Sequence, residues 1–568
     1  MPRTLIRAPG HDRHASIGWL AAAWIEFFTR HGRGAVRGLP VLHGDELTGF
    51  IVDCYALGES PTNTHRLYDA VFLSRPKGCD KSGLAARIAL FEAFGPCRLA
   101  GYAQGGEVYR DPWGFGFEYP YAPGEPMGQH VASPFIRILA TEEGQTGNVY
   151  DTIYFNLTDS DCPLSYVPGV DPGLTRILLP NGGEIRPSTA SAASKDGGLE
   201  TFAVFDESHL YNITELRDMY ATVSRNLRKE QGNVGTWYLE TTTMFALGED
   251  SVAEKTYNEA QAWAEGRKKR GRLRTLFDHR WGECEDILDE QVLRAGLREG
   301  FGDAMAWQDE DGLVDEFYDS RKDEVDSRRY YLNAQTSPKD AWIEGQAWAA
   351  CGRPERALQP GDVVTLGGDG SYNDDATALV ATRVSDGHQE LLGCWEKPEK
   401  ASDDWRVDSA AVDACLHQAM QDYVVVGCYW DPAHWQDYLD EWHNEWAALM
   451  KVKASAQRPL EWWTSRPRQM AAALQRYHQA VMTRTVSFTP PYDRVGRAAE
   501  LAMTLTRHVL NARRDPRRNG LQIRKETPHS AKKIDACMAA VLSWEARCDA
   551  VAAGLAEPPK VDLPKRLR

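Results

Sequence analysis

Residues 70–94 (AVFLSRPKGCDKSGLAARIALFEAF) constrain the fold of this chain more than any other segment. The apolar run 70–73 predicts a buried strand, a short polar loop follows it, and a helix is expected from Ser82 onwards. The pair Lys81-Ser82 therefore stands at a helix N-terminus directly behind a strand, which is the architecture of a phosphate-binding loop. Backbone N–H groups and the helix dipole favour anions at such a place. The segment indicates an α/β fold for this half of the chain.

The loop predicts a nucleotide site, although it departs from the strict pattern. Lys81 is expected to reach the β and γ phosphates, and Ser82 is expected to bind Mg²⁺. The strict pattern has glycine where this chain has Arg75 and Asp80, and an aspartate repels a triphosphate unless it points outward. A chance match is the alternative that the loop by itself leaves open. The predicted nucleotide-contacting residues of the segment are Arg75, Lys77, Gly78, Lys81 and Ser82.

A second apolar strand ends in two acids. Residues 202–205 (FAVF) are followed by Asp206 and Glu207. In phosphoryl-transfer enzymes one such acid holds Mg²⁺, and a second polarises the attacking water. The alternative is an ordinary strand-to-helix junction whose acids cap the helix. Because the phosphate-binding loop and this strand occur in the order that a nucleotide hydrolase requires, the sequence favours an ATPase.

A third strand is predicted within 236–251 (TWYLETTTMFALGEDS), and it ends in hydroxyl residues. Beside the loop, Thr241, Thr242 and Thr243 are placed to sense the γ-phosphate, and Thr243 is predicted to contact the nucleotide. The alternative is a threonine-rich strand that reflects β-propensity alone. The charged stretches 206–230 and 251–300 are both predicted to be helical.

The second half of the chain alternates strands and helices in a different order. Its predicted strands are 363–368, 377–384, 390–395 and 424–430, and its predicted helices are 409–423 and 435–446. Three antiparallel strands, a helix and a buried strand are the opening of an RNase H-like α/β core. The expected domains are an ATPase domain over 1–325, a boundary region over 326–360 and a nuclease domain over 361–568.

Three aspartates of this half predict a two-metal nuclease site. Asp369 ends the first predicted strand, Asp431 ends the strand 424–430, and Asp535 lies in a helical stretch. Carboxylates at these places can converge on two Mg²⁺ or Mn²⁺ ions, which activate water and stabilise the leaving oxygen in phosphodiester cleavage. Asp375 is a candidate outer ligand and Asp374 a turn residue. The alternative for each aspartate alone is an ordinary turn or cap.

The charge of the chain is unevenly distributed. The net charge is −16, yet residues 451–568 contain 23 Lys and Arg against 10 Asp and Glu. A basic C-terminal fifth behind an acidic body indicates a polyanionic partner, although a solvated basic face is the alternative. No apolar run reaches the length of a membrane span, and the eleven cysteines are scattered without a C-x-x-C pair. A membrane protein and a disulfide scaffold are therefore not expected.

Taken together, the segments resemble the large terminase subunits of tailed bacteriophages. The first half contributes LSRPKGCDKSGLAA (73–86), FAVFDESHLY (202–211) and YLETTTMFALGEDSVAE (238–254). The second half contributes GGDGSYNDDATAL (367–379), CYWDPAHW (428–435) and HSAKKIDACMAAVL (529–542). The resemblance implies an N-terminal P-loop ATPase domain followed by a C-terminal RNase H-like nuclease domain.

The resemblance also implies a role for each candidate residue. Lys81 and Ser82 would bind phosphate and Mg²⁺, Asp206 would hold Mg²⁺, and Glu207 would be the catalytic base of ATP hydrolysis. The threonines at 241–243 would couple hydrolysis to movement. The nuclease metal ligands would be Asp369, Asp431 and Asp535.

Two features depart from the family pattern, and the arginine that acts in trans in this family is not assigned to a single residue. Asp80 replaces the usual small residue before the lysine, and Glu46 stands near the place of an adenine-reading glutamine. Both departures concern ATP affinity. Arg225 and Arg228 are the candidates for an arginine that acts in trans.

The partners implied by the resemblance are double-stranded DNA, the portal protein of a procapsid and a small terminase subunit. A homo-oligomeric ring on the portal, in the host cytoplasm, would translocate and cut the DNA, with ATP and Mg²⁺ or Mn²⁺ as cofactors. A helicase-like nucleic-acid ATPase fused to a nuclease, working in repair or defence, is the first alternative. A binding or scaffold protein with decayed sites is the second.

Overall fold

The computed structural model describes residues 2–58, 65–141, 143–180, 182–188, 198–266, 272–336, 340–370, 376–398, 405–491, 494–525 and 532–556. The chain forms two compact units, Met1–Thr336 and Ser337–Arg568. The division between the units falls inside the stretch 326–360. Both units combine helices with sheets, so the predicted mixed α/β fold class is confirmed.

A large sheet forms the centre of the first unit. The strands of this unit are β1 (Arg3–Ile6), β2 (Ala70–Ser74), β3 (Arg98–Tyr102), β4 (Val108–Arg110), β5 (Glu118–Pro120), β6 (Pro126–Gln129), β7 (Phe135–Leu139), β8 (Asp171–Pro172), β9 (Ile177–Leu178), β10 (Glu184–Ser188), β11 (Phe202–Asp206), β12 (Trp237–Thr242) and β13 (Thr275–Arg280). The order in the sheet is β1-β13-β2-β12-β11-β7-β10-β9-β8, and the strands from β13 to β10 run parallel. The predicted strands β2, β12 and β11 are therefore neighbours.

Helices cover this sheet. They are α1 (Gly18–Phe28), α2 (Asp45–Cys54), α3 (Lys81–Phe94), α4 (Glu143–Thr158), α5 (Thr214–Leu227), α6 (Gln231–Val234), α7 (Val252–Ala264), α8 (Glu290–Phe301), α9 (Glu310–Tyr318) and α10 (Glu324–Tyr331). The prediction of helix throughout 251–300 is wrong, because β13 lies inside this stretch. The hydropathy pattern does not indicate this strand because the strand contains the charged residue Asp278. In the structure Asp278 is fully buried, and its charge is balanced by Arg3 and Arg75.

The apolar helix α1 lies in the core of the first unit. Its residues Trp24, Ile25 and Phe28 are buried there, together with Ile88 and Phe91 of α3. The apolar composition of α1 is therefore explained by packing inside the protein. Within the described ranges, no helix combines the length and the apolarity that crossing a membrane requires.

The second unit contains a five-stranded sheet. Its strands are β14 (Val363–Gly370), β15 (Thr377–Arg383), β16 (His388–Trp395), β17 (Val424–Trp430) and β18 (Ser487–Phe488), and a separate hairpin is formed by β19 (Arg513–Arg517) and β20 (Gly520–Arg524). The order is β17-β14-β15-β16-β18. β14, β15 and β16 are antiparallel neighbours, whereas β17 runs parallel to β14. The four predicted strands, 363–368, 377–384, 390–395 and 424–430, are confirmed.

The helices of the second unit are α11 (Gly345–Ala349), α12 (Ser409–Asp422), α13 (Gln436–Trp446), α14 (Pro467–Met482), α15 (Arg497–Asn511) and α16 (Asp535–Ala552). α16 packs directly on β14, and two adjacent glycines make this approach close. A Cβ atom on Gly367 would lie 2.2 Å from the carbonyl oxygen of Ala539 in α16. A Cβ on Gly368 would lie 2.0 Å from the ring of Trp430. The Gly-Gly pair thus allows helix and indole to contact the strand that carries Asp369.

We expect Gly367→Ala to destabilise the second unit by about 1–3 kcal/mol, because overpacking a close backbone contact forces the helix to shift. Hydrogen exchange of peptides from α16 and β14 would measure this as faster exchange than in the unchanged protein. Gly232→Ala is the control, since a Cβ there meets nothing within 4 Å. Unchanged exchange in Gly367→Ala would contradict the close packing of α16 on β14.

Candidate active sites

Three neighbouring parallel strands bring the first group of predicted residues to one edge of the sheet. In the register of the sheet, Thr242 of β12 lies opposite Ser74 of β2, and Thr241 lies opposite Asp206 of β11. The carboxyl ends of all three strands therefore meet, and the loop 75–80 leads from β2 into α3 at this edge. Ligands of open parallel sheets bind at this end of the strands.

Hydrogen bonds connect the predicted Mg²⁺ ligands. The Ser82 hydroxyl donates to Oδ2 of Asp206 at 2.7 Å, and the Thr241 hydroxyl donates to Oδ1 at 2.6 Å. The Lys81 ammonium donates to the carbonyl oxygens of Arg75 at 3.2 Å and of Pro76 at 3.0 Å, so it lies inside the loop. The geometry places a lysine, a serine and an aspartate around one space at the start of α3.

The two acids after β11 differ in electrostatics. Burial and the negative charge of Glu207 raise the pKa of Asp206 to about 6, against the hydrogen bonds from Thr241 and Ser82. Burial also acts to raise the pKa of Glu207, but the charge of Lys81 and the contact with His209 outweigh it and lower that pKa to about 2. Glu207 is therefore an ionised carboxylate at neutral pH, as a general base must be.

Glu207 is held in an uncommon conformation. Its φ of 53° lies in the left-handed region, which non-glycine residues rarely adopt. One carboxylate oxygen lies 3.3 Å from Nδ1 of His209. The same Nδ1 lies 3.1 Å from the Thr242 hydroxyl and 3.4 Å from the Thr243 hydroxyl. Thr241 therefore contacts Asp206, whereas Thr242 and Thr243 contact His209, which lies beside Glu207. Sequence reasoning missed this histidine, although it stands two positions after Glu207.

Arg75, a predicted nucleotide contact, forms ion pairs within the protein. Its guanidinium is buried and lies 2.8 Å from both Glu46 and Asp278. Glu46 also pairs with Arg280. These ion pairs join the loop to distant parts of the chain, which a local motif cannot reveal, and the nucleotide contact of Arg75 stays a prediction.

Lys77 and Gly78 tie the loop to the segment that follows α8. The backbone N–H of Lys77 donates to the carbonyl of Tyr330 at 2.8 Å, and the Lys77 ammonium lies 5.8 Å from the centre of the Tyr330 ring. The carbonyl of Gly78, whose φ is 93°, accepts hydrogen bonds from Trp307 and Gln308. These contacts fix the loop from outside the nucleotide motif.

Arg225 and Arg228, the candidates for an arginine acting in trans, are both exposed near the end of α5. Arg225 donates to the Thr222 hydroxyl at 3.0 Å. Exposure is what a residue that enters a neighbouring subunit requires, and the choice between the two stays a prediction.

The three aspartates of the second unit meet at the corresponding edge of the second sheet. Asp369 lies near the end of β14, and Asp431 follows β17, its parallel neighbour. The backbone N–H of Asp431 donates to the carbonyl of Gly368 at 3.0 Å. Asp535 is the first residue of α16, the helix that packs on β14. Asp374 and Asp375 lie outside the described residues.

Burial is the main cause of the raised pKa values in this acidic cluster. Burial, followed by the negative charges of Asp535 and Asp431, holds the pKa of Asp369 well above its ordinary value. Burial also raises the pKa of Asp431 and of Asp535. Oδ2 of Asp535 is buried and accepts no hydrogen bond from the described residues. A donor set of three carboxylates with an unpartnered buried oxygen fits hard divalent cations such as Mg²⁺ and Mn²⁺.

Two residues that sequence reasoning missed support the aspartates. The Thr464 hydroxyl donates to Oδ2 of Asp431. Nδ1 of the buried His508 lies 2.9 Å from the backbone nitrogen of Ala536 at the start of α16, and its Nε2 lies 3.0 Å from Oε1 of Glu396. Since the backbone N–H must donate to Nδ1, the Nε2–H of a neutral imidazole donates to Glu396. No motif accompanies Thr464 or His508, so only the fold reveals them.

The basic stretch 513–525 forms the hairpin of β19 and β20. Arg514, Arg517 and Arg518 are exposed on it, whereas Arg513 is buried. The hairpin contacts α14, and its Gln522 donates to the carbonyl of Pro467. Exposed arginines of this kind are suited to phosphate groups, without specifying which polyanion they bind.

The first unit thus brings Lys81, Ser82 and Asp206 together, and the second unit contains the cluster of three aspartates. No family model matches the chain. It is 27% identical over 517 residues to the Gene 13 protein of Mycobacterium phage L5, which covers 85% of this chain and 80% of that protein. It is also 27% identical over 539 residues to the Gene 13 protein of Mycobacterium phage D29, covering 89% of this chain and 83% of that protein.

Several solved structures similar to the chain are large terminases. The HK97 bacteriophage large terminase matches at 16% identity over 94% of this chain and 100% of that one, with a TM-score of 0.45. The large terminase of a thermophilic bacteriophage, solved in complex with ADP, matches at 9% identity over 83% and 94%, with a TM-score of 0.26. The large terminase nuclease of the thermophilic phage G20c with bound magnesium matches at 13% identity over 37% and 98%, with a TM-score of 0.21. The resemblance to large terminases, first drawn from the motifs, is found again in this comparison.

Proposed function

We propose that this chain is the large subunit of a phage terminase, an ATPase that translocates double-stranded DNA into a procapsid and cuts it with a two-metal nuclease. The observation that carries the proposal is the presence, in one chain, of the Lys81–Ser82–Asp206 arrangement and of the three-aspartate cluster. Neither a scaffold protein nor a simple ATPase requires both. The division of labour would follow the two units, with an ATPase domain first and an RNase H-like domain second.

In the ATPase half, the backbone N–H groups at the start of α3 would bind phosphate oxygens, and Lys81 would exchange its contacts with Arg75 and Pro76 for phosphate contacts. Ser82 and Asp206 would hold Mg²⁺, which shields phosphate charge during the transfer. Glu207 would orient and deprotonate the attacking water. Thr243, beside His209, would respond to the γ-phosphate.

In the nuclease half, Asp369, Asp431 and Asp535 would hold two divalent cations, which supply a nucleophilic hydroxide and shield the leaving oxygen. Thr464 would keep Asp431 oriented, and His508 would fix the start of the helix that carries Asp535. The exposed arginines of the β19–β20 hairpin would contact the phosphate backbone of DNA. Mn²⁺ suits the same carboxylate set as Mg²⁺.

The remaining partners follow from the resemblance alone. A large terminase subunit works with a small subunit and with the portal of a procapsid in the host cytoplasm, as a ring that assembles on the portal. We propose the same partners for this chain.

The proposal is tested with the purified full-length chain, plasmid DNA and ATP. We expect linearisation or degradation of plasmid with Mg²⁺ or Mn²⁺ and none with chelator, together with ATP hydrolysis that DNA stimulates. Cleavage that persists in chelator would exclude the two-metal site. Metal-dependent cleavage without any ATP turnover would support the nuclease site and contradict the proposed ATP-driven motor.

Glu207→Gln tests the proposed base. The amide keeps the shape of the side chain but cannot accept the proton of water, so we expect ATP turnover to fall by about 10²-fold or more, with nucleotide binding preserved. Turnover of radiolabelled ATP and titration of a fluorescent ADP analogue measure the two quantities separately. Equal losses of binding and turnover would assign Glu207 to support of the metal instead.

A further inference from the structure

Asp80 occupies the N-cap position of α3, but its side chain does not cap the helix. It directly precedes α3, and aspartate is among the preferred N-cap residues because its carboxylate accepts the first free N–H groups of a helix. Asp80 makes no such hydrogen bond, and its φ of 55° is left-handed. The N–H groups at the start of α3 therefore remain uncapped by this side chain, and these are the groups that would bind phosphate.

The carboxylate of Asp80 is directed along α3 instead. Its Oδ2 accepts a hydrogen bond from the guanidinium of Arg87 at 2.7 Å. Arg87 follows Asp80 by seven residues, which is two helical turns on the same face. The Lys81 ammonium has other partners, the loop carbonyls of Arg75 and Pro76. The side chains of Asp80 and Lys81 thus form separate sets of contacts.

Gly83 leaves the space for this arrangement. A Cβ atom at position 83 would lie 2.0 Å from Oδ1 of Asp80 and 3.1 Å from a guanidinium nitrogen of Arg87. Any side chain there would push the carboxylate away from Arg87. The segment 80–87 (DKSGLAAR) therefore contains the acid, its partner and the gap between them.

Arg87 in turn depends on Asp80. Its side chain is almost completely buried, and a buried guanidinium is costly unless an opposite charge balances it. The two nearby histidines cannot supply that opposite charge, because an imidazole is either neutral or cationic; burial and the charge of Arg87 lower the pKa of His31, and they lower that of His43 to about 3. The carboxylate of Asp80, 2.7 Å from the guanidinium, supplies the compensating charge.

We propose that Arg87 is a positioning residue for the nucleotide, which makes a phosphate-binding loop with an aspartate before its lysine competent by holding that aspartate away from the phosphates. The inference rests on the proposed ATPase function. With Arg87 removed, Asp80 is released to cap α3 and to repel a triphosphate. The chain thereby tolerates a residue that the strict loop pattern excludes.

The experiment measures the dissociation constant of a fluorescent ADP analogue for the full-length chain and for four variants of it. We expect Arg87→Gln and Gly83→Ala each to weaken binding by ~10-fold or more, because a carboxylate near the phosphates is returned to the site. Asp80→Gly restores the glycine of the strict pattern and should bind at least as tightly as the unchanged chain. In the double variant Asp80→Gly/Arg87→Gln, binding should return to within about 3-fold of Asp80→Gly alone.

Two further readouts separate this role from a general loss of structure. The defect of Arg87→Gln should shrink at high salt, since screening weakens repulsion between exposed charges. Arg98→Gln is the matched control: it breaks the buried ion pair with Glu92 at the far end of α3, and it should leave nucleotide affinity unchanged.

Three outcomes overturn the inference. Arg87→Gln that binds as tightly as the unchanged chain shows that Asp80 needs no restraint. A defect that persists undiminished in the Asp80→Gly background assigns Arg87 to packing. If the unchanged chain binds no nucleotide, the proposed ATPase function fails first and the inference fails with it, which distinguishes the two.

Discussion

In Asp369→Asn, we expect cleavage of DNA to fall by roughly 10³-fold, which corresponds to several kcal/mol of transition-state stabilisation by the metal ions. The amide keeps the volume of the carboxylate but removes one negative charge from a cluster that repels itself and needs cations. Asp369 lies on β14, between the strand that leads to Asp431 and the helix that begins at Asp535. It is therefore the residue best placed to contact both ions.

The measurement is cleavage of plasmid DNA with Mg²⁺ and separately with Mn²⁺, accompanied by calorimetric titration of Mn²⁺ in the absence of DNA. Asp431→Asn and Asp535→Asn should lose cleavage nearly as completely. Asp422→Asn is the matched control, because Asp422 ends α12 just before β17, at the end of that strand opposite to Asp431. ATP hydrolysis should persist in all four variants. Full cleavage by Asp369→Asn would exclude a two-metal site at this edge.

The sequence alone was sufficient to predict a candidate residue where that residue directly follows the strand that positions it. The strands β2, β11 and β14 are short apolar runs followed at once by polar residues with a chemical role, so strand and candidate residue are predicted together. Parallel strands end at one edge of a sheet, so the assignment of strands is consistent with the contact between Ser82 and Asp206, but the order β2-β12-β11 comes from the structure. The same reasoning placed Asp369 beside Asp431.

What the sequence could not provide are contacts between residues far apart in the chain. Arg75 stands in the loop motif, but its partner Asp278 lies on β13, a strand that the charged surroundings conceal. Thr464 and His508 are polar residues without a local pattern, and their importance comes from the side chain or backbone group that the fold brings to them. Charged and polar residues are ordinarily expected at the surface, but an ion pair or a hydrogen bond allows them to be buried. Hydropathy patterns therefore predict the wrong location for the residues at these positions.

For Lys81→Ala, we expect DNA-stimulated ATP turnover to fall by about 10²- to 10³-fold, because an ammonium group that stabilises charge developing on the transferred phosphate is lost. Lys81 is buried within the loop and already lies against two of its carbonyls, so truncation leaves no other ammonium at this position. Metal-dependent cleavage of plasmid should stay near that of the unchanged chain, since the aspartate cluster belongs to the other unit. Steady-state ATPase and plasmid assays on one preparation measure both activities.

Lys255→Ala is the control for this experiment, because it removes a lysine from α7 of the same unit whose partner is Asp250. It should retain ATP turnover. Normal turnover by Lys81→Ala would show that the loop assignment is wrong, and the other lysine of the loop, Lys77, would become the candidate. The structure makes that exchange of roles unfavourable: the Lys77 ammonium lies 5.8 Å from the centre of the Tyr330 ring, whereas the charge of Lys81 acts on Asp206 and opposes the rise of its pKa that burial causes. The pair of substitutions Lys81→Ala and Lys77→Ala therefore tests which of the two lysines serves the nucleotide.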